Sequence, residues 1–329
     1  MSVPATQTGN SGTSIPLVVH RVRFLLKLES PVRLPRFPGS TLRGLLGHGL
    51  RKTACVTLRT SCDGCRLYSR CDYVTFFESP ASGKSQQKRY SAMPHAWVLE
   101  TAPFPLREKR GLPKRDSLSF TLILVGKAVE KLPLAVTAMR QAGRLGLGHE
   151  NTPFHVEKIF YERVLGSDEW QPYEAKAGFR PDTGVGALPV VPEPAGLTTL
   201  RFMTPLRMKR EKRLVRPADF SMDLFLSSLR LRIRELVAIY GLPGQDCVLP
   251  AIPSGLESAV VETRLEWRDW TRYSNRQKTS MKMGGLLGHL KLESGHLGQW
   301  WPLLWYGQWL HVGKQSSMGL GQYELVTSL

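Results

Sequence analysis

Apolar residues recur along this chain with two periods, one typical of strands and one typical of helices. Over residues 17–28, apolar residues and one histidine occupy every second position, which predicts a strand with one buried face. The basic residues on the other face either contact a phosphate backbone or are solvated; they are Arg21, Arg23 and Lys27. Prolines then interrupt the pattern, and Ser40 is predicted to cap a helix that begins at Thr41.

The second half of the chain shows the clearest helical pattern. Over residues 220–240 apolar side chains recur at helical spacing, and Gly241 ends the predicted helix. A half-buried strand is predicted over residues 260–270. Residues 297–310 contain four tryptophans, and at that density we assign them to a packed helix rather than to a stacking surface.

Each half ends in the same way, which indicates an internal repeat. A helix is followed by Gly-Leu-Gly at residues 146–148 and again at 319–321, and a final strand follows each loop. The order strand, helix, strands, helix, strand predicts an α+β protein with two tandem ferredoxin-like (RRM-like) domains. The domains are predicted over residues 15–165 and 197–329, with a flexible tail at 1–14 and a linker at 166–196 that is rich in Gly, Pro and acidic residues.

The charge of the chain points to a polyanionic partner. Its 45 Lys and Arg residues against 27 Asp and Glu give a formal net charge of +18 and a pI near 10.0. Nucleic acid is the first candidate, ahead of an anionic membrane surface. The sequence has no apolar run long enough to span a bilayer and no signal pattern, so we expect a cytoplasmic protein.

Four of the five cysteines form a short cluster with the spacing C-x6-C-x2-C-x5-C. Because disulfides are disfavoured in the cytoplasm, the pattern predicts a structural zinc site in a knuckle inserted into the first domain, residues 55–71. An iron–sulfur cluster is the main alternative, and unliganded thiols are the third. Four protein ligands would leave no position for substrate. The predicted ligands are Cys55, Cys62, Cys65 and Cys71.

The first predicted helix carries candidate catalytic residues. His48 is followed by Arg51 and Lys52, so all three are expected to project to one side of the helix. A histidine can take a proton from a hydroxyl, and neighbouring cations can stabilise a developing phosphorane, so this group could cleave RNA. The alternative is a surface histidine on a basic helix. The helix also contains three glycines, which suggests that a strand or a ligand packs against its backbone.

Further basic residues and glycines are candidates for RNA contact. They lie before and within the first helix, in a predicted hairpin at residues 272–285, and in the glycine-rich loop 313–321. A basic hairpin with no ligand and a plain turn remain alternatives. The candidates are Arg33, Arg36, Arg43, Arg51, Arg272, Arg276, Lys278, Lys282, Lys314, Gly319 and Gly321.

Several of these stretches occur together in one known family. They are residues 37–44 running to Cys55, the four-cysteine knuckle, residues 202–209, residues 273–277 with Gly284 and Gly285, and the ending 311–314 with 319–321. In this order the chain resembles the CRISPR-associated precursor-crRNA-processing endoribonucleases of the RAMP superfamily.

The resemblance implies metal-independent cleavage of CRISPR repeat RNA by two ferredoxin-like domains, without a catalytic metal. The 2′-OH would attack the adjacent phosphate and leave a 2′,3′-cyclic phosphate and a 5′-OH. His48 falls where relatives often place the general base, with Lys52 nearby; His20, His149 and His311 are alternatives. Repeat RNA, crRNA and other CRISPR effector subunits are the implied partners. The competing interpretations are a non-catalytic crRNA-binding RAMP subunit and, third, a zinc-stabilised DNA-binding protein.

Overall fold

A computed structural model describes most of the chain. The described residues are 15–59, 61–79, 93–105, 114–148, 150–174, 190–194, 196–245, 247–252, 255–274 and 279–327. The predicted tail at residues 1–14 lies outside these ranges, as do the candidates His149, Arg276 and Lys278.

The first half folds into an antiparallel five-stranded sheet covered by two helices. The sheet order is β2-β3-β1-β4-β5. One face of β1 packs against the helices through Val22, Phe24 and Leu26, as the alternation predicted. The elements are β1 (Val19–Arg33), α1 (Gly39–Ala54), β2 (Trp97–Glu100), β3 (Lys114–Val125), α2 (Leu132–Leu145), β4 (Phe154–Glu162) and β5 (Trp170–Pro172).

The second half repeats this arrangement with a four-stranded antiparallel sheet in the order β11-β6-β10-β9. Ser221 caps α3 by accepting a hydrogen bond from the N–H of Leu224 at 3.2 Å. The elements are β6 (Leu197–Leu206), β7 (Lys209–Arg210), β8 (Arg213–Leu214), α3 (Met222–Tyr240), β9 (Val260–Ser274), β10 (Thr279–Glu293), α4 (Trp301–Leu310) and β11 (Tyr323–Thr327).

Both halves are therefore βαββαβ units whose central strands follow the ferredoxin-like order. In each, the first strand lies between the third and the fourth, and the second strand is at the edge of these four. The predicted fold class is confirmed. The tryptophans of α4 and its first turn are buried in the core, also as predicted. Strand β5 lies inside residues 166–196, which the sequence assigned to a linker. It pairs with β4 and so extends the first sheet.

The start of α1 differs from the sequence prediction. The helix begins at Gly39 after Pro38, and no side chain caps it, so Ser40 is not the N-cap. The N–H of Leu42 already donates to the carbonyl of Pro38 at 3.0 Å. Gly39 permits this start because its missing Cβ leaves room for the carbonyl of Met318 from the second half.

One of the two hydrophobic clusters extends across both halves. Ile15, Leu17 and Val19 of the first half are buried in the cluster that also contains α3 and α4. The rings of Phe37 and Phe104 contact Trp270, with centroids 6.2 and 5.5 Å from it. We call this region, where residues 37–39 and 104 meet Trp270 and residues 316–319, the junction. No helix in the described ranges is long and apolar enough to cross a membrane.

Candidate RNA interface

The basic face of β1 is neutralised by acidic residues of the same sheet. Arg21 pairs with Glu100 and Glu162, each at 2.8 Å, and only 11% of its side chain is exposed. Lys27 pairs with Asp116 at 2.7 Å. The guanidinium of Arg23 lies over Trp170, 3.7 Å from the ring centroid. These cations are engaged by the fold.

Two arginines of the second half have a different environment; Arg272 lies at the junction, and Arg207 lies beside the glycine-rich loop. Arg207 follows β6 and donates through Nη1 to the carbonyl of Gly284, while Arg272 on β9 donates through Nη1 to the Sδ atom of Met318 at 3.5 Å. Burial lowers the pKa of both guanidinium groups. Across the described residues, neither has a carboxylate within ion-pair distance, and the Nε atom of each is buried without a hydrogen-bond partner. This is the environment that an anionic ligand would complete.

Arg207 was not among the candidates from the sequence. Its only signal was its position in the stretch 202–209, which carries part of the family resemblance. Its role emerges from the fold, since the parallel bridge between Arg207 and Gly313 brings it to the glycine-rich loop. The N–H of Lys314 donates to the carbonyl of Arg207 at 2.8 Å.

The other described candidates are Arg33, Arg36 and Arg43 of the first half and Lys282 of the second. The guanidinium of Arg36 is 4.6 Å from the centroid of Phe104 and donates to the carbonyl of Pro105 at 2.7 Å. Arg43 lies over Phe77 at 4.4 Å. Arg33 is exposed at the end of β1, and Lys282 is exposed on β10. RNA contact by these residues stays a prediction.

The glycine-rich loop is a packing element of the junction. Gly319 and Gly321 are buried, with φ angles of +89° and +73°, and their N–H groups donate to the carbonyls of Ser316 at 2.8 Å and Pro205 at 3.1 Å. A Cβ on Gly319 would meet the carbonyl of Leu99 in the first half at 2.5 Å. The N–H groups of both glycines are therefore already used. A phosphate would reach this loop through Lys314, which is exposed.

The exposed face of α1 carries His48 and Lys52, which lie one turn apart and are both exposed. Gly44 lies one turn before His48, and nothing in the described chain comes within 4 Å of a Cβ built on it. Gly47 and Gly49 instead pack against Phe77 and Ala138. The sequence suggested that a strand or a ligand packs against the three glycines of this helix. Two of them pack against protein, and Gly44 faces open space.

Arg51 does not join His48 as the sequence suggested. Its side chain is half-buried, lies 5.8 Å from the ring of Tyr73, and donates through Nη2 to the carbonyl of Arg59 at 2.7 Å. The guanidinium thus holds the knuckle to the end of α1. Of the predicted trio, His48 and Lys52 remain available to a ligand.

Two of the alternative histidines, His20 and His311, are buried. Burial lowers the pKa of His20 to about 4 and that of His311 to about 3, so both are neutral near pH 7. The sequence did not single out His95, which stacks on Trp97 with centroids 5.2 Å apart and contacts the hydroxyl of Ser79 at 3.0 Å. Burial, with Arg43 and Arg232 nearby, lowers its pKa to about 3.

The four cysteines of the knuckle form no disulfide with any described residue and are each partly buried. Cys62 and Cys71 pack against the core of the first half. Burial raises the pKa of Cys62, and the nearby Cys71 and Cys55 thiols raise it further. Among the residues that the structure describes, no group of three or more His, Cys, Asp or Glu side chains is arranged to hold a metal ion. The thiols suit zinc chemically, and zinc at this knuckle stays a prediction.

Each half of the chain matches a family model. Residues 200–323 match the model of the CRISPR-associated endoribonuclease Cas6. The second half of this chain is therefore similar to the Cas6 family over these residues. The family resemblance of the sequence is confirmed. Residues 16–179 match a family model described as an N-terminal domain. The Cas6 match contains Arg207, Arg272, the hairpin and the glycine-rich loop.

Individual relatives are similar to this chain to different extents. An uncharacterized protein of Archaeoglobus fulgidus is 30% identical over 114 residues, a match that spans 35% of this chain and only 37% of that relative. A Cas6 product complex has a TM-score of 0.50 at 16% identity, over 94% of this chain and 99% of that one. A partial Cas6-RT-Cas1–Cas2 complex has a TM-score of 0.52 at 14% identity, over 97% and 47%. At these identities the structures support the fold alone.

Proposed function

We propose that this protein is an endoribonuclease that processes CRISPR precursor crRNA. The Cas6 match of the second half and the net charge of +18 support this function. The observation that carries it is the pair Arg207 and Arg272. Their guanidinium groups are partly desolvated, and no acid in the described ranges neutralises them. A folded protein keeps such cations most readily where a phosphate completes their hydrogen bonds.

RNA bound at the junction has a direct route to the exposed face of α1. The helix begins at Gly39 in the junction, and His48 lies nine residues further along, about 13 Å by the rise of an α-helix. Gly44 lies between them with open space beside its backbone. A strand anchored at Arg207 and Arg272 could therefore present a phosphodiester to His48.

In the proposed reaction His48 takes the proton of a ribose 2′-OH. The 2′ oxygen forms a bond to the adjacent phosphorus, and the bond from phosphorus to the 5′ oxygen breaks. Lys52, one turn beyond His48, stabilises the additional negative charge of the phosphorane. The 5′ oxygen leaves with a proton supplied by Lys52 or by water. The products are a 2′,3′-cyclic phosphate and a 5′-OH, and no metal takes part.

Repeat RNA transcribed from the CRISPR array of the same genome tests this proposal. We expect cleavage in excess chelator, a cyclic phosphate on the upstream product, and no cleavage after a single 2′-deoxy substitution at the scissile nucleotide. His48→Ala should lower the cleavage rate at least ~100-fold, the size of a typical general-base contribution. His155→Ala is the matched control, because His155 is also exposed but lies on β4.

Two other outcomes have defined meanings. Cleavage by His48→Ala at the wild-type rate would show that another group is the base. Tight, salt-sensitive binding of repeat RNA without any cleavage would instead identify a non-catalytic crRNA-binding subunit of a CRISPR effector complex. Preference for duplex DNA over repeat RNA would contradict both functions.

The knuckle has a structural role in this proposal. Zinc bound by Cys55, Cys62, Cys65 and Cys71 would fix a loop whose position Arg51 and the core contacts of two cysteines already restrict. Elemental analysis of the purified protein should find about one zinc per chain by this four-ligand reading. Stoichiometric iron with visible absorbance would identify an iron–sulfur cluster instead.

A further inference from the structure

The cysteine knuckle presents large apolar side chains to solvent. Val56 and Leu58 are 77% and 80% exposed, and Leu67 and Tyr68 are also exposed. Leu58 has a φ of +52°, a conformation that residues other than glycine, asparagine and aspartate rarely adopt. A short segment with four exposed apolar side chains suggests a contact surface.

The same segment is basic. Arg59, Arg66 and Arg70 are exposed, and its one acidic residue, Asp63, accepts a hydrogen bond from the hydroxyl of Ser61 at 2.6 Å. Neither Arg66 nor Arg70 forms an ion pair with any residue that the structure describes. Apolar and aromatic groups interleaved with unpaired cations are the chemistry of a single-stranded nucleic acid surface.

The knuckle is fixed to the helix that carries the proposed catalytic residues. Arg51 of α1 donates to the carbonyl of Arg59, and Arg59 donates through Nη1 to the carbonyl of Gly64 at 3.1 Å. At its other end, Asp72 pairs with Lys131 at 2.6 Å. The chain passes directly from the exposed face of α1, with His48 and Lys52, into the exposed residues 56–59.

We propose that the knuckle is a second RNA-contact surface, which holds the single strand that continues beyond the cleaved phosphate. Tyr68 stacks on a base, and Arg66 and Arg70 contact phosphates. This inference rests on the proposed function, because that function places RNA on α1. The knuckle then contributes to affinity and to the position of the strand, while the chemistry stays at His48.

Binding of an uncleavable repeat RNA, with 2′-deoxy at the scissile nucleotide, tests this surface by fluorescence anisotropy on the full chain. We expect the double variant Arg66→Ala/Arg70→Ala to raise Kd about 10-fold or more and to lower the magnitude of the slope of log K against log salt by about 1.4. Tyr68→Ala should raise Kd roughly 10-fold, and Tyr68→Phe should restore most of the affinity because the ring is kept.

The matched control is Arg140→Ala/Arg144→Ala, which removes the same charge from exposed positions on α2. Circular dichroism and zinc content should be the same in the knuckle variants and the wild type. Equal losses in the control and in the knuckle variant would overturn the proposal, since net charge alone would explain them. Wild-type affinity in all knuckle variants would also overturn it, and a protein partner would then be the better occupant of this surface.

The test separates this inference from the proposed function. If the wild type binds and cleaves repeat RNA and the knuckle variants do so equally well, only the second surface is wrong. If the wild type does not bind repeat RNA, the proposed function fails first and the knuckle surface fails with it.

Discussion

Arg21 and Arg272 are both partly buried arginines on strands of ferredoxin-like sheets, yet their environments differ. Arg21 meets two carboxylates at 2.8 Å, whereas the contact of Arg272 is the sulfur of Met318 at 3.5 Å. Arg207 resembles Arg272 in that its Nη1 donates to an uncharged acceptor, the carbonyl of Gly284, and not to a carboxylate. The first sheet thus neutralises Arg21 and Lys27, while Arg207 and Arg272 are cations that no acid in the described ranges balances. The first arrangement stabilises the fold, and the second suits a partner that carries the negative charge.

The largest expected effect is on stability, at Arg21. Arg21→Ala would leave Glu162, whose side chain is 1% exposed, without its cation, so the free energy of unfolding should fall by about 3–5 kcal/mol. The Kd for repeat RNA, measured on folded protein, should not change. Urea unfolding monitored by tryptophan fluorescence gives the first quantity.

Lys27→Ala is the matched control on the same strand. Its ion pair with Asp116 is exposed, so its loss should cost less than about 1 kcal/mol. The comparison would break if the two variants lost similar stability, or if Arg21→Ala weakened RNA binding more than it weakened the fold.

The buried His20, next to Arg21 in the sequence, makes the stability of the first sheet depend on pH. The pKa of His20 is lowered by burial to about 4 in the folded state, against 6.5 when exposed. The unfolded chain therefore binds more protons between these values, so stability present above pH 6.5 is lost as pH falls toward 4. The loss assigned to His20 is about 3 kcal/mol.

His20→Leu should remove this part of the pH dependence and leave the remainder. The measurement is the free energy of unfolding of both proteins from pH 7.5 to 4, taken as a difference so that other titrating groups cancel. Parallel curves for the two proteins would show that His20 is accessible to protons in the folded state.

Arg207 and Arg272 should show the converse of Arg21, with a large effect on binding and a small one on folding. Charge-assisted hydrogen bonds contribute about 1.5–3 kcal/mol each, so Arg207→Ala/Arg272→Ala should raise the Kd for repeat RNA at least ~100-fold. Stability should change by less than about 1 kcal/mol, because partly desolvated cations are removed.

A charge-matched control comes from the same half of the molecule. Arg201 and Arg264 pair with Glu324 and Glu262 on the second sheet, so Arg201→Ala/Arg264→Ala removes two cations that already have partners. We expect at most a several-fold change in Kd from the weaker overall field. Equal losses of affinity in both double variants would remove the distinction between paired and unpaired arginines.

The sequence predicted the fold well because strand and helix periods are local properties. Alternation over residues 17–28 and helical spacing over 220–240 gave β1 and α3, and the repeated ending gave the tandem arrangement. Ser40 was wrong as a cap because α1 already begins at Gly39, where the missing Cβ leaves room for the carbonyl of Met318, far away in the chain. Local pattern could not contain that information.

The site was less predictable for the same reason. Arg21 and Arg272 look alike in sequence, and the acids that distinguish Arg21 are 79 and 141 residues away. Gly319 and Gly321 have the pattern of a phosphate loop, but their N–H groups bond within the second half and Gly319 packs on Leu99 of the first. Whether a polar group is already satisfied depends on tertiary contacts, and this decides which residues remain for a ligand.

Two glycines of α1 also differ in whether the fold already supplies their contacts, and this difference leads to a prediction. Gly49 packs against Ala138, so Gly49→Ala should destabilise the protein by forcing the helices apart. Gly44 has open space, so Gly44→Ala should stabilise the protein by about 1 kcal/mol through helix propensity alone. If RNA lies against this part of the helix, the added methyl group should nevertheless lower kcat/KM for repeat cleavage about 10-fold. A more stable variant that cleaves at the wild-type rate would show that the strand reaches His48 by another route.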